Sequence, residues 1–167
     1  MEYGFGQLIA LLCKSTDNRI DGWLLMSSPL NVTLIILAYI VIVRRIGPSV
    51  MKNRKAYDLR NTLVVYNVFQ IIYNSYLCWV LGSEAQPIGS LMKSDCEIER
   101  SDELKLQCFG FGWWYLMNKI LDFMDTIFMV LRKKNDQITF LHVYHHAIMV
   151  LLSWVSMKYL GDSRMSK

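Results

Sequence analysis

Residues 140–160 read FLHVYHHAIMVLLSWVSMKYL, an apolar run interrupted near its start by three histidines and near its end by one lysine. A helix needs roughly 20 predominantly apolar residues to cross a hydrocarbon core, and this run has that length. Three comparable blocks precede it, approximately Trp23 to Val43, Thr62 to Gly82 and Phe109 to Leu131, each separated from the next by charged residues. A chain of 167 residues with 53% hydrophobic content is too apolar for an ordinary soluble domain of that length. The reading is an all-α, polytopic membrane helix bundle with four predicted spanning helices.

The first block carries Ser27, Ser28 and Pro29 near its start, so its helix is expected to begin around Pro29, where proline suits a first turn. A cleavable signal fits it poorly, because the block follows a polar-mixed segment, residues 1–22, and lacks a short basic leader and a small-residue cleavage site. The net charge of +4 says less than its distribution. Arg44, Arg45, Lys52, Arg54, Lys55 and Arg60 lie between the first two blocks against Asp58 alone, and Arg132, Lys133 and Lys134 lie between the last two. The stretch from Ser83 to Cys108 is acidic, with Glu84, Asp95, Glu97, Glu99, Asp102 and Glu103 outnumbering Lys93, Arg100 and Lys105. The positive-inside rule then places both basic loops in the cytosol, and the amino terminus, the acidic loop and the carboxy terminus in the lumen. Topology explains the basic clusters without nucleic acid as a partner.

Cys96 and Cys108 share the loop assigned to the lumen, where a disulfide is permitted but not required. Cys13 and Cys78 have no zinc-binding spacing. Asn31-Val32-Thr33 is formally a glycosylation sequon at the membrane entrance and is expected to be unused. No internal repeat, heptad seam, phosphate loop or dinucleotide fingerprint is visible. The broken-helix and repeat signals of a transporter are also missing.

Ionisable residues inside spanning helices are costly and are by default a hypothesis about function. The third block contains Lys119, Asp122, Asp125 and Thr126; the fourth opens with His142, His145 and His146, the only histidines of the chain. Lys119, Asp122 and Thr126 fall near one helical stripe, and the Lys119–Asp122 spacing allows an intrahelical ion pair, whose bland reading is self-neutralisation. Asp125 exceeds what that pair needs. The histidines, at i, i+3 and i+4, point to one side of their helix, and each needs partners for two ring nitrogens where water is scarce.

Both helices start from the cytosolic side if the short loop between them is cytosolic. At 1.5 Å per residue, Asp125 lies about 9 Å from its helix end, and His145 and His146 about 8 to 9 Å into theirs. The expectation is an Asp–His contact in which the carboxylate sets the imidazole tautomer and raises its basicity, which suits acyl or proton transfer. Three histidines are too few for a di-iron site, so no metal is expected.

The ordered motifs KILDFMDT (119–126), FMVLRKKNDQ (128–137) and FLHVYHH (140–146) resemble the core signature of the fatty-acid elongase family. GP (47–48), MKNRK (51–55), YNVFQ (66–70) and WWY (113–115) are similar to further family landmarks, so the resemblance runs roughly from Trp23 to Lys158. It implies an endoplasmic-reticulum membrane enzyme, normally of seven helices, that condenses malonyl-CoA with a long-chain acyl-CoA. The product is a 3-oxoacyl-CoA two carbons longer, with carbon dioxide and CoA released and no bound cofactor. By that resemblance His142, His145, His146 and Asp125 are the candidate catalytic residues. Lys119, Asp122 and Thr126 belong to a polar network, and Arg132, Lys133 and Lys134, with Lys52, Arg54 and Lys55, are candidates to meet CoA phosphates. Those cations equally serve as topology signals.

Two departures accompany the resemblance. The family signature usually has glutamate where Asp122 stands, which shortens the reach by about one methylene. The later helices, with another histidine, a tyrosine-rich motif and a glutamine motif, do not occur in these 167 residues. The expected organisation is a lumenal segment 1–22, a truncated elongase membrane region 23–160 and a non-family tail 161–167. A short splice form, an incomplete gene model or a part of a longer chain would each account for this. The rival expectation is a catalytically inert membrane partner that associates with complete elongases or other enzymes of the elongation cycle.

Overall fold

The computed structural model describes residues 20–91 and 102–160, and every regular element among them is helical. Helix α1 spans Pro29–Met51. It opens where proline and capping chemistry predict: Ser28 is extended (φ −151°, ψ 139°) and its hydroxyl accepts the Leu30 N–H, satisfying one of the donors a helix start leaves open. Asn31 to Thr33 form its first turn, with Thr33 Oγ1 donating to the Pro29 carbonyl at 2.8 Å. Midway the helix widens into a π-helical turn, Ile42–Ile46, closed by the Gly47 N–H donating to the Ile42 carbonyl. Pro48 follows at once. Proline cannot donate to the ladder and its ring crowds the carbonyl four residues back, and a locally widened turn relieves both problems.

Helix α2 spans Arg60–Leu91, and the Asp58 carboxylate accepts the Arg60 N–H at its start (3.2 Å). It therefore continues beyond the predicted block into the stretch read as the acidic loop. Cys96, with residues 92–101 of that loop, residues 1–19 and the tail 161–167, lies outside the described residues, as does the Cys108 side chain; Cys78 is a free thiol.

The third block is not one helix. Helix α3, Asp102–Leu121, gives way at Asp122 to α4, Phe123–Leu131, through a tightened turn in which the Asp125 N–H donates to the Asp122 carbonyl at 3.2 Å. Three charged groups, Lys119, Asp122 and Asp125, lie around that junction, and among the described residues three helices are each long and apolar enough to cross a membrane: Pro29–Met51, Arg60–Gly82 and Phe140–Lys158. Helix α5, Phe140–Val155, is capped by Thr139, whose hydroxyl accepts the His142 N–H at 3.1 Å, and ends in a second wide turn, Ser156–Leu160.

Contacts fix the helix directions. Tyr39 stacks on Phe123 (3.9 Å between centroids, 6° between planes), while further along both helices Gly47 meets Val130, so α1 and α4 run parallel. A side chain at Gly47 would bring its Cβ to 2.6 Å from Val130 Cγ1, so the lack of one permits this approach. Helix α5 runs the other way: His142 sits at Thr126, and Trp154 Nε1 donates to the Leu25 carbonyl beside the start of α1 (2.9 Å). At that end the segment 20–28 folds over the bundle, with Leu25 in a left-handed conformation (φ 69°) and Trp113 Nε1 donating to the Leu24 carbonyl at 3.1 Å. Ile20, Met26, Leu116, Val150 and Trp154 form the buried core beneath it.

Both basic loops lie at the opposite end. The Tyr57 N–H donates to the Leu131 carbonyl at 3.1 Å, so the first loop closes the end of α4. That end turns through Lys133 in the left-handed region (φ 57°). The Lys133 N–H bonds to the Val130 carbonyl and the Lys134 N–H to the Met129 carbonyl, the paired arrangement of a Schellman cap. The apolar surface faces outward: Phe140 is 76% and Val65 70% exposed, as suits helices whose solvent is lipid.

Candidate functional site

The polar side chains of α3, α4 and α5 meet those of α1 and α2 in one band across the bundle. At the α3–α4 break, the Asp122 carboxylate receives Lys119 Nζ on one oxygen at 2.7 Å and Gln70 Nε2 on the other at 2.7 Å. The ion pair allowed by the spacing is therefore formed. It is joined by a neutral donor from α2, separated by 52 positions in sequence.

Gln70 Nε2 also donates to the Tyr66 hydroxyl (2.9 Å), and Tyr66 donates to the Leu121 carbonyl (3.3 Å), which the helix break leaves available. One turn further along α2, Asn74 Nδ2 donates to the Gln70 carbonyl and Asn74 Oδ1 accepts Asn118 Nδ2 at 2.9 Å. Tyr73 adds a bond to the Trp114 carbonyl at 2.9 Å. Only 6% of the apolar span of α2 is buried, so this polar ladder is a principal attachment of α2 to its neighbour. Gln70 Oε1 and Asn118 Oδ1 are buried without a protein partner among the described residues.

The histidine helix joins at Thr126. Its hydroxyl lies 3.0 Å from His142 Nε2 and 2.9 Å from the Tyr39 hydroxyl, so a buried threonine bridges α1, α4 and α5. The His142 and His146 rings approach edge to face at 4.5 Å, and His145 and His146 lie 5.9 Å apart. His142 and His146 are half-buried, and His145 is exposed. Asp125 lies beside the Tyr66 hydroxyl and within electrostatic range of His142 and Lys119, but no hydrogen bond joins it to a histidine among the described residues. The expected Asp125 contact with His145 or His146 is not formed among the described residues; the two helices meet instead through Thr126 and His142.

Arg132, Lys133 and Lys134 are exposed at the end shared with Lys52, Arg54 and Lys55, where Lys133 Nζ reaches the Lys52 carbonyl at 3.5 Å. The cations proposed to meet phosphate thus share one end, and the histidines lie within the first two turns of the helix that starts from that end.

Tyr39, Gln70, Asn74 and Asn118 were given no role by the sequence reading. A signal for the α2 group was present: Tyr66, Gln70, Tyr73 and Asn74 fall at i, i+4, i+7 and i+8, a polar stripe on an otherwise apolar helix. Tyr39 offered no such signal, being a single tyrosine in an apolar helix.

Comparison with known proteins identifies the family. Residues 24–166 match the family described as ELO, GNS1/SUR4. The chain is similar to very long chain fatty acid elongase 7 of Rattus norvegicus (37% identical, covering 87% of this chain and 52% of the relative). It is also similar to elongase 7 of Drosophila melanogaster (37%, covering 89% and 45%) and elongase 1 of Mus musculus (34%, covering 88% and 53%). It thus spans about half the length of the curated relatives it matches. With a match across most of its length and the polar residues of the signature gathered in one band, the chain belongs to the ELO, or GNS1/SUR4, family.

Proposed function

We propose that this chain is the amino-terminal helical part of a fatty-acid elongase that performs decarboxylative condensation. Malonyl-CoA loses carbon dioxide, its C2 carbon bonds to the acyl carbon of a long-chain acyl group, and CoA leaves. The observation that carries the reading is the Thr126–His142 contact, which brings the acidic helix break and the histidine face into one half-buried band between membrane helices. An imidazole of that face is suited to accept an acyl group or to take a proton. Asp125 and Asp122 supply the negative charge that favours a transient imidazolium.

In this reading the end carrying Lys52, Arg54, Lys55, Arg132, Lys133 and Lys134 faces the cytosol and receives the CoA phosphates. The amino terminus lies in the lumen of the endoplasmic reticulum, and the acyl chain extends among the apolar side chains between helices. Partners are the two CoA thioesters, membrane lipid and other enzymes of the elongation cycle.

The test is malonyl-CoA condensation with a panel of acyl-CoAs, in membranes carrying this chain from cells whose own elongases are removed. Elongated product that is lost in His145→Ala and His146→Ala variants is expected. Undiminished product in stably inserted alanine variants overturns the histidine assignment. No product from a stably inserted parent chain favours the inert-partner reading.

A further inference from the structure

The chain Tyr39–Thr126–His142 carries more than a contact. Tyr39 is 3% exposed and Thr126 is fully buried, so the hydrogens of both hydroxyl groups need acceptors within the protein. A threonine hydroxyl has one hydrogen to give and two lone pairs to accept with; if Tyr39 and His142 both donated to it, its own hydrogen would have no acceptor among the described residues, which leaves two proton arrangements along the contacts of 2.9 Å and 3.0 Å. In one, His142 carries its proton on Nε2 and donates to Thr126, Thr126 donates to Tyr39, and the phenol hydrogen must go elsewhere. Tyr39 has no second hydrogen-bond partner among the described residues. Arg44 and Asp125 are within electrostatic range of it but are not bonded to it, and the stack on Phe123 restrains its ring. In the other arrangement, Tyr39 donates to Thr126 and Thr126 donates to His142 Nε2, so both buried hydroxyl hydrogens have acceptors.

We infer that Tyr39 is a positioning residue that, through Thr126, holds His142 as the tautomer protonated on Nδ1. The nitrogen occupied by Thr126 is then unavailable for attack on an acyl carbon, and the remaining nitrogen carries a proton. His142 gives a hydrogen bond or a proton, while accepting the acyl group or a proton falls to His145 or His146. The tautomer is a property of the helix packing alone; only its chemical use rests on the proposed condensation.

The experiment is nitrogen-15 NMR of the full chain, labelled at histidine and held in lipid nanodiscs, with His142 signals identified by their loss in His142→Asn. A single His142 form with Nε2 unprotonated and Nδ1 protonated is expected. Tyr39→Phe should lose this single form, because Thr126 is then free to accept as well as donate. Thr126→Ser, which keeps the hydroxyl, should retain it. A parent His142 protonated at Nε2, or at both nitrogens, overturns the inference, as does an unchanged spectrum in Tyr39→Phe. Should Tyr39→Phe fail to insert, Thr126→Val and the parent spectrum decide the matter, and retention of the single form in Thr126→Val overturns it. Absence of condensation with the tautomer as assigned counts against the proposed function alone.

Discussion

Gln70 and Asp122, 52 positions apart, are joined by a 2.7 Å hydrogen bond from Nε2 to Oδ1, and this bond ties α2 to the break between α3 and α4. Gln70→Leu removes the donor, leaving Asp122 with Lys119 alone and Tyr66 with the Leu121 carbonyl alone. Polar contacts between membrane helices contribute about 0.6 kcal/mol on average and up to about 1.7 kcal/mol. Because two bonds are lost, a loss near the upper figure is expected, measured as unfolding of the chain in mixed micelles. Gln70→Glu, which sets a carboxylate against a carboxylate, should cost more. Equal stability for all three proteins would show that the ladder does not hold α2.

The approach of α1 to α4 depends on Gly47. In Gly47→Ala the new carbon would lie 2.6 Å from Val130 Cγ1 and 2.9 Å from the Ile42 carbonyl oxygen, neither of which can move freely. Overpacking of this kind costs about 1–3 kcal/mol. Adding Val130→Ala removes one of the two clashes and should restore part of the loss. A double-mutant cycle with no coupling between the two positions would contradict the packing described.

Lys133 holds a left-handed conformation (φ 57°) that glycine adopts more readily. Lys133→Gly relieves a strain of about 1–3 kcal/mol and loses about 0.4–1 kcal/mol to the freer unfolded chain, so a net rise in stability is expected. If the side chain meets CoA phosphate, the same substitution raises the KM for acyl-CoA. Thermal unfolding and kinetics on one protein therefore move in opposite directions, and a fall in stability would refute the strain argument.

Lys158 is buried (5% exposed) with Asp21 and the Met26 carbonyl as partners, whereas the Asp21 side chain is 42% exposed. The pair is thus asymmetric. Asp21→Ala leaves a buried ammonium without its counter-ion, a loss of about 3–5 kcal/mol in fully enclosed pairs. Lys158→Met leaves a carboxylate that water can reach and should cost less. The reverse order, measured by the same unfolding assay, would mean that the ammonium finds solvent on its own.

Several features were legible from the residues. Pro29 and Ser28 locate the start of α1, since a proline that cannot donate and a hydroxyl that accepts suit a helix entrance. The i, i+3 spacing of Lys119 and Asp122 anticipates their ion pair, and the i, i+3, i+4 spacing of the histidines puts them on one side of α5. The break at Asp122 was not legible. A run from Phe109 to Leu131 reads as one apolar helix, and nothing local, neither proline nor a glycine pair, marks the position where it is interrupted.

The residues alone fix the apolar helical blocks, the start of α1 and which side chains share a helical face, because these follow from local backbone chemistry and a period of 3.6 residues. How each helix is rotated about its axis is settled on assembly: Thr126 rather than Asp125 meets His142, Gln70 from α2 meets Asp122, and Tyr39 completes the chain. The reason is physical. In a soluble protein the apolar stripe of a helix reveals which side faces the core, but lipid is as apolar as a protein interior, so both sides of these helices read alike. Rotation is then set by small-residue approaches such as Gly47 on Val130 and by the need of each buried polar group for a partner, and those partners are found only when the helices are assembled.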